Sequence, residues 1–117
     1  MKRVYLLRHA KTEDSNPYGD KARNLTERGI RDARALTPAL HRLAAPVNIV
    51  LCSTADRTRQ TLDVIEKSPM LEGSVLEFEN HLYHASPEVL MAAVHTLPEA
   101  HENVLIVGHN PGIHEFA

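Results

Sequence analysis

The sequence predicts a three-layer α/β/α domain built on a mostly parallel sheet. Four short apolar runs, residues 3–8, 47–52, 75–78 and 103–107, are separated by segments whose apolar residues recur at helical spacing. Three of the four runs are almost unbroken rather than alternating, as expected of strands buried on both faces. Each run stops at polar residues, and right-handed crossovers between parallel strands would bring all those ends to one side of the sheet.

The first strand, Arg3 to Arg8, runs through Val4-Tyr5-Leu6-Leu7 and passes at His9 into a polar loop that extends to Ala22. Thr26 is placed to cap a helix over residues 27–43, in which Ile30, Ala33, Leu36, Leu40 and Leu43 share one face. Gly29 weakens its first turn and Pro38 removes a backbone donor, so the expectation is one helix with a kink. Residues 47–52 form the second strand, and Ser53-Thr54 can cap a helix over residues 55–67. Arg57 lies in the first turn of that helix, where a cation opposes the helix dipole. It needs a bound anion, solvent, or a carboxylate partner such as Asp56 or Asp63.

Residues 75–78 make a shorter third strand that leads into Glu79-Asn80-His81-Leu82-Tyr83-His84. Ser86-Pro87-Glu88 then supplies a capping hydroxyl, a proline at the first helical position and a carboxylate facing the dipole. The helix over residues 87–97 should bury Val89, Leu90, Ala93, Val94 and Leu97 before Pro98 stops it. Residues 103–107 are the fourth strand, followed by the turn Gly108-His109-Asn110-Pro111-Gly112 and the start of a helix near Ile113.

Length and composition narrow the classes. A chain of 117 residues is expected to be one domain, residues 1–117, and 43% hydrophobic with 24% charged residues suits a folded globular protein. A net charge of −2 offers no global basic field, so no nucleic-acid or anionic-membrane partner is expected. The single cysteine, Cys52, rules out an internal disulfide and reads as a buried, inert thiol suited to a reducing compartment. The basic start is too short for a signal segment and no run approaches a membrane span, which makes the cytoplasm the expected location.

Strand ends therefore bring Arg8 and His9, Arg57, His84 and His109 to one crevice, the usual ligand position in open α/β sheets. Arginines match phosphoryl oxygens in pairs of bonds, and phosphoryl transfer needs mainly positioning and charge stabilisation. A neutral histidine can itself attack phosphorus, and nearby guanidinium charge keeps the ring neutral. Two other readings compete. Eight histidines could suggest a metal site, but His81 and His84 lack a second ligand pair at accepted spacing, so no metal or cofactor is expected. A non-catalytic binder of phosphate or phosphoprotein would use the same pocket without turnover.

Leu7-Arg8-His9-Ala10, Ser53 through Thr61, and Val107-Gly108-His109-Asn110-Pro111 together resemble the signature segments of the histidine phosphatase superfamily. The chain is most similar to its SixA-like phosphohistidine phosphatase branch, a likeness that extends to Leu25-Thr26-Glu27-Arg28-Gly29 and Leu82 through Pro87. The resemblance implies a metal-independent phosphatase acting on a phosphorylated protein or a small phosphorylated substrate. His9 would be the phosphorylated nucleophile, and Arg8, Arg57 and His109 would hold the phosphoryl oxygens. Asn16 and Arg23 are secondary candidates for substrate contact. Many members place a carboxylate after the third strand as proton donor; here the nearest position is His84, with Glu88 one helical turn on and Glu79 upstream. Members usually continue past the second histidine with a helix and another strand. Without these, apolar surface near His109 and self-association through the exposed sheet edge are expected.

Overall fold

The computed structural model of the protein describes residues 2–43, 45–110 and 112–116. Pro111, part of the turn read after the fourth strand, and the terminal Ala117 lie outside the described residues. Four strands, β1 (Arg3–Arg8), β2 (Ile49–Ser53), β3 (Val75–Glu79) and β4 (Asn103–Gly108), form one sheet in the order β1-β4-β2-β3, with every pairing parallel. Alternate side chains feed two cores. Val50, Cys52, Leu105 and Val107 pack on one face with Leu62 and Ile65; Ile49, Leu51, Val104 and Ile106 pack on the other with Leu90 and Val94. Burying each large aliphatic chain contributes about 1.5–3 kcal/mol, so both helical layers are held by the sheet they cover.

The segment read as one kinked helix is two: α1 (Glu27–Ala35) and α2 (Thr37–Leu40), separated at Leu36. Pro38 decides this. It sits in the first turn of α2, where its missing N–H is not needed, whereas in a continuous helix it would lose a bond and clash with the preceding turn. The Leu36 amide instead tightens onto the Ala33 carbonyl at 3.1 Å. Gly29 is not a defect either. A Cβ there would lie 2.1 Å from the Lys11 carbonyl oxygen, so the glycine lets α1 rest on the loop that follows His9. Thr26 caps α1 as expected, accepting from the Gly29 amide.

The third helix, α3 (Asp56–Ile65), starts after Ala55 and has no side-chain cap, contrary to the role read for Ser53 and Thr54. Both hydroxyls are committed elsewhere, Ser53 to His109 and Thr54 to the Asn80 side chain. The fourth, α4 (Pro87–His95), is capped by Ser86, whose hydroxyl accepts from the Val89 amide, and a short α5 (Gly112–Phe116) follows β4. Strand β1 is an edge. Its exposed flank and α2 bound an apolar groove of about 380 Å³ that includes Tyr5, Leu7, Leu36, Leu40 and Leu43, and Val75, Leu76 and Phe78 are exposed on β3 at the other edge. No described helix is long and apolar enough to cross a membrane.

Register and crossover place the site. Arg8 pairs with Gly108 across β1 and β4, so His9 and His109 leave adjacent strands at the same level, and the His9 amide donates to the Gly108 carbonyl at 3.1 Å. From there one chain turns toward α1 and the other toward α5, on opposite faces. The parting leaves a crevice at the strand ends.

Candidate active site

His9 is half-buried at the end of β1, and its Nδ1 lies 2.8 Å from its neighbour's carbonyl, that of Ala10. A carbonyl only accepts, so Nδ1 carries the proton and the neutral ring keeps its lone pair on Nε2. Burial is the main cause that lowers the His9 pKa below 6.5; the Ala10 bond opposes it, and the charges of Arg57, Arg8 and Arg23 add to the lowering. The arginine effect read from the sequence is present, but desolvation exceeds it. Thr61 on α3 steadies this arrangement: its hydroxyl accepts from the Ala10 amide at 3.0 Å and donates to the Arg57 carbonyl at 2.7 Å.

Arg57 is fully buried, and its partner is neither Asp56 nor Asp63. Its Nη1 donates to the Asp20 carbonyl at 2.7 Å and its Nη2 to the Asp20 carboxylate at 3.1 Å. Asp20 belongs to a short 3-10 turn (Asp20–Ala22) inside the segment read as plain loop, and it follows Gly19, whose φ of 104° suits a residue without a side chain. The same carboxylate also accepts from the Tyr83 hydroxyl and from His84 Nε2, the latter at 3.1 Å. Tyr83 first, then His84 and Arg57, hold the Asp20 carboxyl well below the usual carboxylate range.

His109 is buried with its ring centroid 5.5 Å from that of His9 and 4.8 Å from that of His84. Its Nε2 is 2.7 Å from the Ser53 hydroxyl. Burial, then the Arg57 charge, pushes its pKa down to about 3, so the ring is neutral. Among the described residues, Arg57 Nε and His109 Nδ1 are buried polar atoms with no hydrogen-bond partner. Beside His9 opens a cavity of about 340 Å³ lined by Arg8, Ala10, Lys11, Thr12, Asp14 and Arg23; Arg57, His84 and His109 do not line it.

Two independent likenesses accompany this geometry. Residues 4–77 match the model of the histidine phosphatase superfamily (branch 1). The chain belongs to the histidine phosphatase superfamily. Within it the structure is similar to those of the SixA-like branch: the SixA proteins of Nakamurella multipartitia and Agrobacterium tumefaciens superpose with TM-scores of 0.85 and 0.86 at 33% and 32% identity. Each superposition covers 98% of this chain, against 63% and 74% of those chains respectively. A protein of Mycobacterium tuberculosis is 32% identical over 105 residues, 90% of this chain. The chain spans 63% of the length of that relative.

Not every site residue read from the sequence sits as expected for this family. Arg8 is exposed and faces the cavity with His9. Arg23 also lines it, with Nε 3.2 Å from Asp20 Oδ1, a charge contact too poorly aligned to count as a hydrogen bond. Asn16 braces the loop, donating to Glu13 and accepting from the Tyr18 amide, and does not line the cavity. His84, at φ 50° in the left-handed region, anchors Asp20. Glu88 is exposed on the first turn of α4 and, among the described residues, bonds to none of the site side chains. Arg59 is exposed but lies 4.4 Å over the Phe78 ring, a cation–π contact in addition to its solvent contact. Cys52 is buried, and burial raises its thiol to about 12. Among the described residues, no group of three or more His, Cys, Asp or Glu side chains is placed to hold a metal ion.

Sequence reasoning missed Asp20, Tyr83, Ser53 and Thr61. Only Asp20 left a signal. Arg57 demanded an anion that its own helix could not turn toward it, and Asp20 stands in a loop whose Gly19 permits a sharp turn. Ser53 and Thr61 left none, since a hydroxyl beside or within a helix reads first as a cap or a helix surface.

Proposed function

We propose that the domain is a metal-independent phosphatase that takes a phosphoryl group from phosphohistidine, or a phosphomonoester, onto Nε2 of His9. One observation carries this reading. The His9 ring, with a free Nε2 lone pair, lies 5.5 Å from the His109 ring, and His109 Nδ1 and Arg57 Nε are buried nitrogens with no partner among the described residues. Unpartnered buried donors cost about 1–3 kcal/mol each, a cost that phosphoryl oxygens would relieve.

In the first step the His9 Nε2–phosphorus bond forms as the bond to the substrate's leaving atom breaks, and that atom takes the electron pair. Arg57, Arg8 and His109 meet the charge on the equatorial oxygens. In the second step water attacks phospho-His9, the nitrogen–phosphorus bond breaks, and orthophosphate departs with the ring restored. Asp20, the carboxyl that Arg57 and His84 contact, is held ionised and has no proton to give. An alkoxide leaving group needs such a proton more than an imidazole does, so phosphohistidine is the substrate class favoured over alkyl phosphates.

The test is turnover of a phosphohistidine protein and of p-nitrophenyl phosphate in EDTA by wild type and His9→Ala. Both should be hydrolysed by the wild type and neither by the variant. Activity that survives in His9→Ala would remove His9 as nucleophile, and activity lost to EDTA would reinstate a metal. Phosphate binding without turnover in the wild type would identify a binding module.

A further inference from the structure

We propose that Ser53 is a positioning residue that fixes the tautomer of His109, so that a neutral imidazole presents an Nδ1–H donor to the phosphoryl group. The Ser53 hydroxyl and the His109 ring are both buried, with Oγ 2.7 Å from Nε2. Either atom could supply the proton in that contact, and the surroundings decide which does.

Ser53 Oγ already accepts from the Ala55 amide at 3.4 Å. Among the described residues it has no acceptor for its own proton except His109 Nε2. If Nε2 were the protonated nitrogen, two groups would be buried unmatched: the Ser53 hydroxyl proton and the Nδ1 lone pair. With Ser53 donating to Nε2, one is left, the Nδ1–H. One unmatched buried group costs about 1–3 kcal/mol, so the second arrangement prevails. A doubly protonated ring is disfavoured by the same burial and by Arg57. The remaining Nδ1–H has the polarity that an oxyanion accepts.

Ser53 owes this place to the end of β2. It is the last residue of that strand, next to β4 in the sheet, and its own carbonyl is held by the Thr58 hydroxyl at 2.7 Å. A serine at this position reads in sequence as a helix cap. In the structure α3 starts without it, and the hydroxyl is free to turn toward β4.

The role given to the proton rests on the phosphatase reading; the tautomer itself does not. Nitrogen-15 NMR of the labelled protein at neutral pH should show His109 protonated on Nδ1 and bare on Nε2. In Ser53→Ala the ring should shift toward the Nε2–H form, and orthophosphate affinity should fall about three- to tenfold, the loss expected for one hydrogen bond. Ser53→Thr, which keeps the hydroxyl, should restore both. An Nε2–H ring in the wild type overturns the assignment without any variant, even if Ser53→Ala fails to fold. A tautomer that shifts in Ser53→Ala with phosphate affinity unchanged overturns the positioning role. Absent turnover in a protein that binds phosphate with the predicted tautomer would count against the phosphatase reading alone.

Discussion

Acid destabilisation of this domain should run through His109, and its size follows from the structure. The ring titrates near 6.5 when unfolded and at about 3 when folded, because it is buried beside Arg57. Its folded value is depressed, so the unfolded chain binds the extra proton. Its contribution to stability is complete above pH 6.5, falls as pH drops below it, and stops falling near the folded value. One proton taken up by the unfolded chain alone costs about 1.4 kcal/mol per pH unit, so lowering the pH from about 7.5 to about 5 removes about 2 kcal/mol. The interval above pH 5 is chosen because most carboxylates have not begun to titrate there. Urea unfolding across it should show a steeper decline in the wild type than in His109→Gln, which keeps an amide for the Ser53 contact. The difference isolates His109, since His9 contributes in both proteins. Parallel stability curves would mean that the folded protein can protonate this ring, and the picture of a neutral, desolvated His109 would fail.

Gly29→Ala should lower stability by about 1–3 kcal/mol in denaturant unfolding, because the new methyl meets the Lys11 carbonyl at 2.1 Å. Thr61→Val conserves shape but strips the Ala10 amide and Arg57 carbonyl of their shared partner; it should cost about 1–3 kcal/mol and lower kcat through His9. Asp20→Ala should cost about 1–2 kcal/mol by thermal unfolding, below the range for a fully buried pair because the aspartate side chain is 47% exposed. An unchanged melting temperature there would deny Asp20 its hold on Arg57.

The sheet was legible because a strand buried on both faces leaves a run that no helix pattern imitates at that length. Residues 47–52 and 103–107 carry the central pair β2 and β4, which the structure displaces by at most two residues. His9, Arg57, His84 and His109 were legible for a topological reason: parallel strands end together, whatever the loops do. Helix continuity was less so. In the sequence Pro38 allows a kink or a break; its place in the first turn of a separate α2 marks the break in the structure. Asp20 was legible only as an anion that Arg57 required, and its identity was not, for a different cause. Its contacts with Arg57, Tyr83 and His84 span from 37 to 64 residues of sequence, and a loop carboxylate carries no periodicity to announce such pairings.

Charge balance gives Asp20 a use in the phosphatase reading beyond bracing Arg57. His9 and His109 are neutral, and the fixed charges around His9 include the guanidinium groups of Arg8, Arg23 and Arg57, opposed by the carboxylate of Asp20. Lys11 and Asp14, which also line the cavity, oppose each other. The guanidinium groups exceed the carboxylate and suit a phosphoryl group of about −2. Three unopposed cations would bind substrate and released orthophosphate alike, and such uniform binding lowers KM without raising kcat. Asp20 takes the Nη edge of Arg57 out of this competition while leaving Nε bare. In the phosphatase reading the arginine would then contribute a directed donor rather than a whole unbalanced charge.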